Sequence, residues 1–446
     1  MAGCPLPPGS REGACPCRPA DFRVPDNYGP THAGGPHVLD AARKSAHPGL
    51  LFLSSHMASD LDGKVSIMAR AIGASTPQRG KMYDDMHQAF RRVKKEYPNQ
   101  RWYFLAYCLL LTMALPPLFL CWLVKPELPL GIVVATVFEL YFLNVFHTRH
   151  HRNGLLYDNE VLSALTTPLY DFIDATWGYF PEAWRTNHNV KHHVHTNDFD
   201  VDTDLPAMYP YVRSCHDTER RWFHRFQTFY WPFLLPGAAI QFPVNNFMVH
   251  NGKALHFGSW LTLMFVLPLC LHGWGGFMQS ILLQAWAGVS LAYKFAVSHT
   301  HEDLKSTSNS TEVYEDVDAW LKAQIGESFS WGGYFVGFIF GGLNMQVEHH
   351  LCPSLDPPLY ALVTPEIKKI CARHGVEYKE EPSFVHAVFQ FHRKLWIMGS
   401  VPAQSRPQAS TDATSARREK GLTDTPSLNN GYLQSPKHGD IYFAME

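Results

Sequence analysis

Residues 103–124 contain no charged side chain and are long enough to cross a bilayer as one helix. Such a segment cannot lie in lipid as an open loop or sheet edge, because its backbone N–H and C=O groups would find no partners there. Residues 129–146 behave the same way, with Glu139 as their single charge. Two more apolar stretches, 258–276 and 277–298, are interrupted only at Gly273-Trp274-Gly275-Gly276. The expected fold is an all-α integral membrane protein of about four transmembrane helices. The 38 basic residues against 40 acidic ones give no electrostatic footprint for nucleic acid.

Polar, Pro/Gly/Ser/Thr-rich composition marks 1–30 and 402–446 as disordered tails flanking a main domain over 83–401. The first 30 residues lack the apolar core of a secretory signal. Residues 83–101 place Met86, Phe90, Val93 and Tyr97 on one helical face, which predicts a helix lying along the membrane surface. Arg91, Arg92, Lys94, Lys95 and Arg101 precede the first span, whereas Lys125 stands alone after it. This bias puts the N-terminus in the cytosol. The three prolines in 227–247 predict an interfacial or re-entrant element rather than a span. With four spans, and with 331–345 at the surface, everything polar between the hairpins falls on one cytosolic side.

That side collects eleven histidines: His147, His150 and His151; His188, His192, His193 and His195; His299 and His301; His349 and His350. An isolated helical His pair is often surface decoration, but three clusters on one side of a membrane are not readily coincidental. Neutral imidazole is a standard ligand for first-row metals, and one site needs three or four, so this number fits two metals. His147 and His151 share a helical face, as do His188 and His192. Asp198, Asp200, Asp202 and Asp204 are candidate partners for imidazole N–H groups.

These motifs resemble those of the membrane fatty acid desaturases of the front-end type, over about residues 100–395. The resemblance rests on the histidine boxes, on Trp184-Arg-Thr-Asn-His-Asn-Val-Lys-His-His193 leading into Thr196-Asn197, and on Gln346-Val-Glu-His-His-Leu-Cys-Pro353. Glutamine at the head of the last box is the front-end mark. Phe295-Ala-Val-Ser-His299 resembles an additional ligand after the last span, and Trp320 and Gln324 fit the loop before the third box. Two departures stand out: Thr148 and Arg149 occupy the first box, and three residues, not two, precede the His pair of the second. The resemblance implies a di-iron centre that uses O₂ to remove two hydrogens from an acyl chain. Its expected ligands are His147, His151, His188, His192, His193, His299, His349 and His350, with His150 and Gln346 as further members of the site. His195 and His301 have no clear role in the family. The resemblance also implies electrons from cytochrome b5 and its NADH-dependent reductase, an acyl-CoA or lipid substrate, and the endoplasmic reticulum membrane, with a plastid membrane as the alternative.

Val38-Leu-Asp-Ala-Ala-Arg-Lys-Ser-Ala-His47-Pro-Gly-Leu50 resembles the first haem-ligand motif of a cytochrome b5 domain. No second histidine stands at the expected distance, His56 being too near and His87 too far. Segment 31–82 is therefore read as a degenerate remnant; the alternative is a haem domain with an unusual second ligand. Trp177, Tyr179 and Phe180 are candidates for the mouth of an acyl tunnel, although an aromatic belt at the membrane interface is the plainer expectation. A sphingolipid desaturase or lipid hydroxylase would use the same boxes. A membrane zinc hydrolase of the ceramidase kind would need only about three histidines.

Overall fold

A computed structural model describes residues 57–58 and 79–402, except 153, 155, 158, 199–201, 203, 205–208, 217, 250–253 and 302–315. The leader 1–30, His47 with nearly all of segment 31–82, Asp200 and the tail 403–446 lie outside the described residues.

Helix α1 (Lys81–Glu96) is followed by α2 (Asn99–Val124), which turns at Lys125–Glu127 into α3 (Leu128–His151). After α4 (Glu160–Thr176), the chain climbs through the second histidine cluster to α5 (Gln227–Leu234) and α6 (Ala238–Val249). Helix α7 (Ala254–His299) carries the third long apolar stretch. Among the described residues, α2, α3 and α7 are long and apolar enough to cross a membrane. The chain is a helical membrane protein.

Helix α7 has 46 residues, too many for a single crossing, and it breaks at Gly273, where φ is 60° and ψ is −153°. The chain doubles back there. The Phe265 and Phe277 rings lie 5.9 Å apart, whereas twelve residues of continuous helix would separate them by about 18 Å. At the turn, His272 Nε2 lies 2.8 Å from the Leu123 carbonyl at the end of α2. The 125–127 and 273–276 turns thus share one end of the molecule, opposite the histidines. Phe104, Trp122, Phe138, Trp177, Met264 and Leu283 belong to one buried cluster at the core of this helical body.

The segment expected to be re-entrant is helical, with a break over Leu235–Gly237 between α5 and α6, and it packs on α7. Above it lies a cap of α8 (Val317–Gly326), α9 (Gly333–Ile339), α10 (Gln346–Leu351), α11 (Tyr360–Arg373) and α12 (Phe384–Ser400). A two-residue parallel pair, β1 (Ser330–Trp331) with β2 (Glu380–Glu381), is the departure from an all-α fold. The expectation for α1 needs correction. Met82, Met86, Phe90 and Val93 are buried with Trp320, Leu351 and Ile367 in the cap core, not turned toward lipid. The Asp318 carboxylate fixes the start of α1 by accepting from Met82 N and Tyr83 N, each at 3.0 Å. Tyr97, assigned to the same face, is exposed.

Candidate metal centre

The first two histidine boxes are set by specially wound pieces of helix, and the third lies on the six-residue α-helix α10. Phe142–Phe146 form a π-turn in α3, after which His147–His151 resume the α-helix. An inserted residue of this kind rotates everything beyond it. In the second box, one turn at Pro181–Trp184 opens into a π-helix over Arg185–His192. Bonding of i to i+5 brings His188 and His193 together, with their Nε2 atoms 3.3 Å apart. His192 is turned away, and its Nδ1 lies 3.0 Å from Asp202 Oδ2. The extra residue before this His pair is thereby absorbed in the winding.

Two groups of imidazoles result. His147, His151, His188 and His349 offer nitrogens that all lie within 4.8 Å of one another, and so do His192, His299 and His350. His193 stands between the groups, its ring 4.6 Å from His151, 4.6 Å from His349 and 4.3 Å from His350. Nε2 separations are 3.0 Å for His147–His188, 3.2 Å for His147–His151 and 3.3 Å for His299–His350. Nitrogens bound to one metal at about 2.0–2.1 Å stand about 3.0–3.4 Å apart, so these spacings suit a shared ion. Hydrogen bonding explains them poorly, because a neutral imidazole has one donor and one acceptor. Moreover, His349 Nε2, opposite the Nδ1 that faces Tyr360, is buried without a hydrogen-bond partner among the described residues. An orphaned nitrogen in an imidazole-rich site fits a metal. His188 and His192 can also be grouped with Asp204, whose side chain is 52% exposed.

The surroundings set the protonation and orientation of these rings. Burial holds His188, His193, His349 and His350 well below the ordinary imidazole range, so they are neutral. Burial pulls His192 the same way, but Asp202 and Asp204 outweigh it and push it up to about 9. His349 Nδ1 lies 3.3 Å from the Tyr360 hydroxyl. His350 Nδ1 lies 3.0 Å from Thr196 Oγ1 and 3.1 Å from the Gln324 side-chain amide. Such contacts fix ring orientation. Trp320 Nε1 donates to Val194 O at 3.2 Å and ties α8 to the second box. Asn197, at φ 58°, donates to the carbonyls of His299 and Glu327 at 3.2 and 2.9 Å.

The structure brings eight expected histidines together and leaves others out. His150 faces away: its ring packs 4.3 Å from Phe146, its Nδ1 lies 3.4 Å from Arg185 Nε, and its Nε2 lies 3.6 Å from Asp174. Arg149, the intruder in the first box, is buried and paired with Asp171 and Asp174. His301 lies 3.0 Å from Glu381. Gln346 is buried, and its side chain faces His299. Sequence reasoning missed Tyr360 and the anchoring of Glu348. The Glu348 carboxylate, inside the third box, accepts from Ser330 Oγ, Thr364 Oγ1 and Tyr378 Oη at 2.9, 2.7 and 2.6 Å. Nothing in the spacing of those residues signals the contact, which only cap packing creates.

A cavity of about 370 Å³ leads from His188, His192 and His299 into the apolar body. Gln284, Gly288, Leu291, Phe295 and His299 line it from α7 at helical spacing. Trp177 and Tyr179 also line it, so they face inward rather than forming an interfacial belt, and Trp177 stacks on Phe138 with centroids 3.6 Å apart. Phe180 is buried against His256 instead, with ring centroids 5.5 Å apart.

Residues 126–382 match the family described as fatty acid desaturase. The chain is similar to the chloroplastic acyl-lipid (7-3)-desaturase of Chlamydomonas reinhardtii, at 27% identity over 49% of this chain and 47% of the relative. It is similar to Delta(5) fatty acid desaturase A of Dictyostelium discoideum, at 28% identity over 64% and 72% of the two chains. It also resembles the sn-1 linoleoyl-lipid 6-desaturase of Synechocystis sp., at 28% identity over 60% and 79%. The matched region spans from about half to four fifths of these relatives' lengths.

Proposed function

We propose that this chain, which belongs to the fatty acid desaturase family, is an oxygen-dependent front-end desaturase. It would introduce a double bond between an existing double bond and the carboxyl end of a long-chain acyl group. The observation that carries this reading is the pair of imidazole groups at the head of an acyl-sized apolar cavity. His147, His151, His188, His193 and His349 would hold one iron, and His192, His299 and His350 the other. Two irons would supply, from O₂ and delivered electrons, the oxidising power that an unactivated C–H bond demands.

The protein's own work is binding and orientation. Leu291 and Phe295 on one side, with Phe138, Phe142 and Trp177 on the other, would hold the chain extended and exclude water beside His188, His192 and His299. Asp202 holds the Nδ1–H of His192, so that its other nitrogen faces the centre. Tyr360 does the same for His349, and Thr196 for His350.

Electrons would come from cytochrome b5 and its NADH-dependent reductase. We place the protein in the endoplasmic reticulum, with both limbs of α7 as spans and the boxes facing the cytosol. The regiochemistries named for its relatives differ, and the acyl carrier and bond position follow from product analysis. Purified protein should hold about two irons per chain. Yeast expressing it and fed a panel of fatty acids should form new double bonds on the carboxyl side of existing ones, located by mass spectrometry. One zinc with no iron would move the function to hydrolysis, and hydroxylated products would move it to a lipid hydroxylase.

A further inference from the structure

Helix α5 is apolar on both sides. Trp231 and the following Leu235 line the cavity, whereas Phe229 and Phe233 are exposed; Phe233 is 81% exposed and Leu235 0%. Trp222, Phe226, Phe229 and Phe233 recur at helical spacing, so the exposed stripe begins in the turn before α5 and runs to its end. Helix α12 repeats the pattern: Phe391 and Leu395 line the cavity, and Val385, Phe389 and Trp396 are exposed. The Phe229 and Trp396 rings meet edge to face with centroids 6.1 Å apart, which joins the two stripes. A wall one helix thick therefore stands between the cavity and whatever covers this face.

The surface suits a bilayer. A joined aromatic stripe of this kind is unfavourable in water. It is continuous with the apolar body, because a Cβ added at Gly288 would stand 2.5 Å from the Leu235 carbonyl. Helix α5 thus ends against α7 eleven residues before His299, about 16 Å below it. Exposed Arg225 and Arg393 interleave with the rings, as on helices lying among lipid headgroups. The seam is also built to part. Gln227 Nε2 donates to the Leu395 carbonyl at 2.6 Å, and Thr228 Oγ1 to that of His392 at 3.4 Å. Beyond Thr228, among the described residues, ring contacts close the seam, Phe229 on Trp396 and Trp231 on Phe391. Such contacts separate without stranding a polar group.

We propose that the acyl chain enters the cavity sideways from the bilayer, between Phe229 of α5 and Trp396 of α12, while its carrier remains in the membrane as a phospholipid. The proposal rests on the desaturase reading above and adds to it an entrance and a substrate class. An acyl chain parting the seam replaces ring contacts by contacts of the same kind, so the outer stripe stays covered throughout.

The test compares one protein with itself. The full chain carrying Phe229→Cys and Trp396→Cys is placed in vesicles with cytochrome b5 and its reductase. The vesicles are phosphatidylcholine acylated with a fatty acid that the yeast panel shows to be desaturated. A short, cleavable thiol bridge across the seam should slow desaturation at least about fivefold at unchanged iron content, and cleaving it should restore the rate. Bridging is scored against the parent treated alike, which carries the native thiols Cys121 and Cys270. Equal rates in the bridged and unbridged forms overturn the proposal. So does parent protein that desaturates the CoA ester of the same acid and not the phospholipid. A second measurement does not depend on that pair folding. A fluorophore on Phe233→Cys should be quenched by phospholipid brominated along its acyl chains, and a probe that behaves as in water overturns the proposal. Iron-loaded parent that desaturates none of the panel fails the desaturase reading itself, and this entrance with it.

Discussion

His150 and His151 are neighbours with opposite fates, and the difference is one helical step. His151 Nε2 lies 3.2 Å from that of His147 inside the first imidazole group, whereas His150 is turned to Phe146, Arg185 and Asp174. Spacing alone could not choose between them, since positions three and four residues beyond His147 both lie near its face. His151→Ala should therefore lose iron, as should His349→Ala. His150→Ala should keep iron near the parent level and cost about 1–3 kcal/mol of stability through the partners left behind. Metal content and thermal unfolding of the purified variants separate the two cases; iron loss in His150→Ala would return that residue to the site. The identity of the eight clustered histidines was legible because metal chemistry demands the residue type. Their partners Tyr360 and Thr196 were less so, because a hydroxyl becomes a partner only where folding delivers it.

At the scale of elements, the apolar stretches announced the long helices, but periodicity gave no hint of the π-turns at Phe142–Phe146 and Arg185–His192. The signal for the second was the odd spacing before His192, a register problem that one wide turn resolves. Glu139 was visible as the lone charge in α3, and its partner was not. Its carboxylate is buried and bonded to Ser290 Oγ and Lys294 Nζ on α7, clamping together the helices that deliver His147 and His299. Removing one partner strands a charge in an apolar setting, which costs about 3–5 kcal/mol, whereas replacing both by packed apolar groups is far milder. Lys294→Leu should accordingly reduce folded protein and iron content, and the Glu139→Leu/Lys294→Leu pair should restore much of both. Equal damage in the single and double variants, read by detergent-solubilised yield and metal analysis, would discard the clamp.

For the whole molecule, the turns after Val124 and at Gly273 lie together at the end opposite the histidines, as the contact between His272 and Leu123 records. Glycosylation acceptors inserted near Glu127 and Gly275 should be modified in the endoplasmic reticulum, and an acceptor near Ser354 should not. Modification at Ser354 would invert the proposed orientation. The position of α1 could not be read from its amphipathic face, since a stripe of Met86, Phe90 and Val93 suits lipid and protein equally, and only the cap determines which it meets. One further property follows from the two adjacent histidine pairs. His192 joins one group while His193 packs beside the other, and His350 and His349 divide in the same way. Successive Cα atoms stand about 3.8 Å apart whatever the rest of the fold does. Each pair is thus a covalent ruler laid across the gap, and the separation of the two centres is gauged by the length of a peptide unit rather than by the looser tolerances of packing.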